Sequence, residues 1–126
     1  MKLTLDTIKN VGAFTGRPVE KEIEWTDKDG NKHVATTYVR PMGFHAAKFD
    51  ILSVTGKSDG VAGRIASSIC DENGDPVFTT DDITGHADPE RGALDGSLTI
   101  ALLVAIQEVN SLGKESSAQK TNSGAN

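Results

Sequence analysis

The 126-residue chain has little cysteine and few aromatic residues. Cys70 is the single cysteine, which excludes an intramolecular disulfide and fits a reducing compartment. It follows an apolar run that includes Ile65 and Ile69, so a buried, inert thiol is favoured over a nucleophile. Aromatic residues make up 5% of the chain, and a core must therefore be built from Ile, Leu, Val and Ala.

Basic residues are also scarce, with 13 Lys and Arg against 18 Asp and Glu and a formal net charge of −5. Between Asp71 and Asp95 there are eight acidic residues and one basic residue, Arg91. The chain has no basic stripe, which argues against nucleic-acid binding through phosphate neutralisation. The acidic segment has two compatible interpretations. Its carboxylates cap helices and turns, or they form a negative surface that faces a basic partner or a neighbouring subunit.

Long hydrophobic runs are missing. The longest run, Leu98 to Ile106, spans nine residues, whereas a membrane-spanning helix needs about 20. The N-terminus, MKLTLDTIKN, has no apolar segment typical of a signal peptide. We therefore expect a soluble intracellular protein without a membrane partner.

Motifs for metal binding or catalysis are absent as well. The three histidines, His33, His45 and His86, have no second histidine or cysteine at ligand spacing. No serine lies in a nucleophile elbow, and the glycines form no phosphate-binding loop. The segment 27–31 (DKDGN) resembles a calcium loop only superficially, because its glycine is at the fourth position instead of the sixth. The sequence predicts no cofactor, no metal and no enzymatic activity.

A period of two predicts a β-hairpin from about Val19 to Arg40. Val19, Ile23 and Trp25 share one face, and glutamates alternate with them. Asp29-Gly30 supplies the chemistry of the closing turn. Residues 1–18 show no clear pattern.

Helical spacing and capping signals predict helices at about 44–55, 59–72, 80–85 and 89–112. Ser58 or Asp59 is the expected cap of the second helix, and Asp88-Pro89-Glu90 is the start signal of the last one. The predicted fold is α+β, with an N-terminal β-hairpin packed with three to four helices. We expect a single domain over residues 1–112 and a disordered tail over 113–126, because the tail is polar and small.

The last predicted helix is apolar around most of its circumference. Its main stripe consists of Leu94, Leu98, Ala101, Leu102, Ala105 and Val109. Four more residues, Ile100, Leu103, Val104 and Ile106, widen that stripe. A helix of this kind is buried on several sides, which predicts a central core element with some apolar surface left for subunit contact.

Residues 44–114 resemble the small tail assembly chaperones of long-tailed bacteriophages. The likeness consists of a helix, then the acidic turn CDENGDPVFTTDDI with its embedded Val77-Phe78, then a terminal helix ending AIQEVNSLGK with Asn110. The resemblance implies a non-catalytic protein of the host cytoplasm that coats the tape measure protein and keeps it soluble. It also implies self-association into a homo-oligomer.

In that family, a longer product often arises by a −1 ribosomal frameshift, and its extra domain recruits tail tube subunits. Leu112-Gly113-Lys114 can be encoded CTG GGA AAG, which contains a slippery heptamer of the form X XXY YYZ. These three codons are therefore the candidate frameshift site, and residues 115–126 would be the unshifted ending.

Six apolar or aromatic residues are candidates for self-association or contact with the tape measure protein: Trp25, Tyr38, Ile100, Leu103, Val104 and Ile106. Two other hypotheses remain open. The chain could be a minor tail or head–tail connector protein that stays in the virion, or a small enzyme or regulatory module of a prophage. Presence in purified particles would favour the first, and a pocket of strongly perturbed titratable groups would favour the second.

Truncation after Lys114 should leave the melting temperature unchanged, because residues 115–126 contain no hydrophobic residue larger than alanine. Thermal unfolding of the two chains, followed by circular dichroism, checks this. A loss of more than a few degrees would show that the tail packs on the domain.

Overall fold

The computed structural model describes residues 1–44, 47, 56 and 59–122, with side chains as far as Asn110. A three-stranded antiparallel sheet is combined with helices, so the predicted α+β class is confirmed. The elements are α1 (Leu5–Asn10), β1 (Val19–Thr26), β2 (Lys32–Val39), α2 (Gly60–Ser68), β3 (Ile69–Cys70), α3 (Thr80–Thr84) and α4 (Gly96–Asn122). Apart from Phe44 and Ala47, the helix predicted at 44–55 lies outside the described residues.

The predicted hairpin is present as β1 and β2, paired from Val19↔Val39 to Thr26↔Lys32. Its turn is organised by Asp27, whose carboxylate accepts the backbone N–H groups of Asp29 and Asn31, both at 2.9 Å. Gly30 has a φ of +84°, a conformation that favours glycine. The interpretation of this segment as a hairpin turn is therefore confirmed.

The helix predicted at 59–72 is shorter in the structure and ends at Ser68. Asp59 caps its start by accepting the N–H of Ala62, as predicted. Ile69 and Cys70 leave the helix and form β3, in which they pair with Val39 and Tyr38 of β2. The prediction of a helix through 72 was wrong because pairing with a distant strand replaces the last helical turn.

The helix predicted at 80–85 is confirmed as α3, capped by Thr79 and closed by Gly85. The helix predicted from residue 89 begins only at Gly96. The Asp88 carboxylate caps one isolated turn, and the N–H of Leu94 then donates to the carbonyl of Ile83 at 3.0 Å. This return of the chain to α3 prevents helical continuation, so the predicted start was wrong.

Helix α4 starts at a second capping carboxylate, since Asp95 accepts the N–H of Leu98 at 3.0 Å. Its assigned helical backbone runs to Asn122, beyond the predicted end at residue 112. Good helix formers make up half of 115–122, namely Glu115, Ala118, Gln119 and Lys120, which is compatible with this extension. The boundary between a folded domain and a tail stays a prediction.

The core forms where α4 crosses the inner face of the hairpin. Its buried apolar residues are Ile23, Val39, Ala62, Ile65, Ala66, Ile69, Ile83, Leu102, Ala105 and Ile106. Burying a large aliphatic side chain stabilises by about 1.5–3 kcal/mol. A salt bridge of 2.6 Å between Lys21 and Glu108 adds a contact between β1 and α4 at the rim of this core.

Gly85 fixes the path from α3 towards α4. Its φ is +93°, and a Cβ at this position would lie 2.8 Å from the backbone nitrogen of Ala93. Gly30 has a similar φ of +84°, but a Cβ there would meet nothing within 4 Å. A side chain at Gly30 would therefore cause only conformational strain, whereas a side chain at Gly85 would cause both strain and a steric clash.

Gly30→Ala should lower the free energy of unfolding by about 1 kcal/mol, from the strain of a left-handed residue. Gly85→Ala should cost about 2–3 kcal/mol more, since the backbone must also move. Urea denaturation of both variants checks this difference. Equal losses would show that the turn at 92–93 adjusts freely.

Candidate interaction surfaces

Helix α4 has an exposed apolar side opposite the core. Ile100 is 64% exposed and Val104 is 46% exposed. They are four residues apart, so they lie on one face of the helix. We call this pair the α4 outer stripe. The sequence predicted a core helix with some apolar surface left for subunit contact, and these two residues of that prediction are exposed.

Leu103 and Ile106 take different positions from the α4 outer stripe. Leu103 is half-buried and packs against the core, while Ile106 is 2% exposed and belongs to the core itself. The Ile106 side chain therefore has no accessible surface for a partner. Because the helix is apolar around most of its circumference, only the position of the sheet decides which residues are covered.

The two aromatic candidates lie on opposite faces of the sheet. Trp25 is half-buried on the inner side and stacks on His33, with ring centroids 5.2 Å apart. Tyr38 is half-buried and lies opposite Glu20. Burial raises the pKa of Tyr38, and the carboxylates of Glu20 and Glu72 raise it further. The six predicted residues thus do not form one site.

Leu112, Gly113 and Lys114 lie within the helical backbone of α4, and their side chains are outside the described set. Their proposed role concerns the codons, which no structural feature tests. Asn110, just before them, is part of the fold. Its side-chain oxygen accepts the N–H of Met42 at 2.8 Å, and its amide group donates to the carbonyl of Ile106 at 3.0 Å. Asn110 therefore joins α4 to the segment after β2.

A surface that the sequence did not predict surrounds a cavity of about 460 Å³. Phe14, Met42 and Phe44 line it and are exposed at 59%, 43% and 76%. Buried Ser67 and Ser68 line it as well. Residues 1–18 show no periodicity, so only the aromatic residue in an otherwise polar, glycine-containing segment could have indicated this surface.

Half of the eight carboxylates of the acidic segment have structural roles. Asp71 accepts the N–H groups of Asn73 and Asp75, and Asp95 caps α4. Asp82 accepts the N–H of Thr79 and pairs with Arg91 at 3.1 Å. The backbone hydrogen bond at Thr79 and the Arg91 guanidinium hold the pKa of Asp82 below its ordinary value. The interpretation of these residues as turn and cap residues therefore accounts for this part of the segment.

Beside this segment lies a second cavity, of about 420 Å³, between Val77, Phe78, Leu94 and Leu98. Phe78 is half-buried against the core, and Val77 is 52% exposed. Phe78 thus attaches the acidic turn to the domain, whereas Val77 stays at the surface.

The remaining titratable groups with shifted pKa values also have local partners. The His33 ring, 2.8 Å from the Asp27 carboxylate, lowers the pKa of Asp27. The Glu24 carboxylate raises the pKa of Lys32. Cys70 is 1% exposed, and burial raises the pKa of its thiol, in agreement with the predicted buried cysteine.

The part of the chain that the structure describes has neither a cluster suited to a metal ion nor a helix suited to a membrane. Within it, no group of three or more His, Cys, Asp or Glu side chains could hold a metal ion. The described helices include none with the length and apolar character that crossing a bilayer requires.

The fold and its surfaces define a small α+β protein with several exposed apolar patches. Residues 6–110 match the family model of the phage tail assembly chaperones (TAC). The chain therefore belongs to the phage tail assembly chaperone family. No curated protein and no solved structure matches it.

Three aspartate substitutions on α4 should differ by the burial of the replaced residue. Ile100→Asp should change the free energy of unfolding by about 0.5 kcal/mol or less, as is typical of exposed sites. Leu102→Asp places a charge in the core and should prevent folding, because the total stability of a domain is about 5–15 kcal/mol. Leu103→Asp should fall between the two. Circular dichroism melts check this order, and a destabilised Ile100→Asp variant would show that the α4 outer stripe is covered.

Proposed function

We propose that this chaperone binds the tape measure protein through the α4 outer stripe and keeps it soluble while tail tube subunits are recruited. The observation that carries the proposal is an apolar helix, in a member of a tail assembly chaperone family, whose outer side remains exposed. The protein acts by binding and not by catalysis, in the cytoplasm of the host.

The spacing of the stripe fits a helical client. Ile100 and Val104 lie one helical turn apart, and a second amphipathic helix presents its apolar residues with the same period. A tape measure protein is a long helical polypeptide whose apolar faces would aggregate in water. The α4 outer stripe would cover such an apolar face and exclude water from it.

The strength of one contact is modest. Burying the exposed parts of Ile100 and Val104 contributes roughly 2–3 kcal/mol before the cost of association is subtracted. This supports weak binding by each copy. Many copies along one client, which also contact one another, would gain affinity through multivalency. Homo-oligomer formation therefore belongs to the proposal, with the exposed Phe14, Met42 and Phe44 as additional contact residues.

A longer form made by a −1 frameshift at Leu112-Gly113-Lys114 would link this domain to a second one that recruits tail tube protein. The three codons follow Asn110, the last residue with a described tertiary contact. A domain added at this point would thus leave the described core unchanged. Sequencing the gene across these codons tests this part, since a slippery heptamer with an open −1 frame is required.

The alternative is a minor tail or head–tail connector protein retained in the virion. The family match favours the chaperone. Mass spectrometry of purified particles separates the two, because an assembly chaperone leaves the tail before completion and a connector stays in it.

Co-expression with the tape measure protein tests the role of the stripe. The double variant Ile100→Asp and Val104→Asp should lower the soluble fraction of the tape measure protein at least about tenfold, because both apolar contacts are lost. Val61→Asp is the matched control, since Val61 is 49% exposed but lies on α2. If circular dichroism shows that the double variant is folded and it still keeps the tape measure protein fully soluble, the proposal is contradicted.

A further inference from the structure

Strand β1 is an open edge of the sheet. The strand order is β1-β2-β3, so among the described residues β1 has a neighbouring strand on one side only. It is eight residues long and pairs with β2 over its whole length without a bulge in the register. An edge strand exposes a row of backbone donors and acceptors that can pair with another extended chain.

The hairpin turn determines which residues of β1 face the open side. The N–H of Asp27 donates to the carbonyl of Asn31 at 2.9 Å, which makes these two a hydrogen-bonded pair. Bonded and non-bonded pairs alternate in an antiparallel ladder. Lys21, Ile23 and Trp25 therefore bond to β2, whereas the residues between them direct their N–H and C=O groups away from it.

Two further hydrogen bonds agree with this assignment. The N–H of Thr26, an outward-facing residue, donates to the Ser97 hydroxyl at 3.2 Å and not to β2. On the other side of β2, the N–H of Arg40 donates to Ser68 beside β3. The start of α4 thus closes one end of the β1 edge, and the outward-facing groups of Glu20, Glu22 and Glu24 remain open among the described residues.

The side chains of these same three residues are exposed and acidic. Glu24 pairs with Lys32 at 2.5 Å. Within the described part of the chain, Glu20 and Glu22 form no ion pair. Tyr38, opposite Glu20, lies in the resulting negative potential. At every second residue of β1, from Glu20 to Glu24, an outward-facing N–H and C=O therefore accompany an exposed carboxylate.

A second copy of the chain is a poor occupant of this edge. Two β1 strands paired antiparallel about Glu22 would place Glu22 opposite Glu22 and Glu20 opposite Glu24. Like charges directly opposite each other on neighbouring strands destabilise the pair. A strand with lysine or arginine at alternate positions would instead place a cation opposite each glutamate.

We propose that the β1 edge, at Glu20, Glu22 and Glu24, is a docking site for an extended polypeptide segment with basic residues at alternate positions. The segment adds to the sheet as a fourth strand. Backbone hydrogen bonds hold it, and the glutamates select it by charge. This surface is separate from the α4 outer stripe and takes an extended partner, so neither proposal depends on the other.

Proline at position 22 tests the backbone contact. The N–H of Glu22 faces the open edge, so Glu22→Pro removes a donor from the docking side and leaves the bonds to β2 in place. The probe is a fluorescent peptide of sequence TKVKVKT, with binding followed by anisotropy. We expect Glu22→Pro to weaken binding about tenfold and Glu22→Gln, which keeps the N–H, about threefold.

A second measurement uses the unaltered protein and does not depend on how the variant folds. The same peptide with N-methyl groups at alternate backbone positions keeps its charge but cannot form a ladder. Methylation of the peptide nitrogens that would face β1 should abolish binding. A peptide of the same composition with its lysines grouped together should bind weakly. Equal binding of the methylated and unmethylated peptides would show a purely electrostatic contact and overturn the proposal. Sedimentation of the Glu22→Gln variant tests a second copy as the occupant. If this variant dimerises and the wild type does not bind the peptide, the edge belongs to a second copy and the proposal is overturned.

Discussion

The contact between α4 and the inner face of the hairpin is the interaction on which the remaining structure depends. Leu102, Ala105 and Ile106 share one buried core with Ile23 and Val39, and neither the hairpin nor the helix could be stable alone in water. Helix α2 adds Ile65 to the same core and is followed directly by β3. With few aromatic residues, the domain obtains its stability from many aliphatic contacts around this one helix.

That contact also determines what is left at the surface. A helix can place only part of its circumference on a sheet, so an apolar sequence around most of the helix must leave residues outside. In α4 these are Ile100 and Val104. The side of a surface helix that faces solvent usually carries charged or polar residues. In a member of the phage tail assembly chaperone family, this exposed pair is the feature on which the proposed binding role rests.

Local signals predicted the parts of the fold that depend on neighbouring residues. The hairpin was predictable because alternation and an Asp-Gly turn act within a few residues, and α3 because capping does too. The end of α2 and the start of α4 were not, since Cys70 pairs with Tyr38 and Leu94 bonds to Ile83 across distances that no local pattern records. Among the candidate contact residues, exposed Ile100 and buried Ile106 are chemically identical. Only the direction in which α4 meets the sheet separates them.

The single cysteine has a practical consequence for following motion in this domain. Cys70 lies in the two-residue strand β3 and is 1% exposed, and burial raises the pKa of its thiol. A covered thiol in this state reacts with an alkylating reagent only after β3 separates from its neighbours. The reaction rate at this one atom therefore measures how often the junction between α2 and the acidic turn opens. The native chain contains its own probe of local unfolding, without an introduced label.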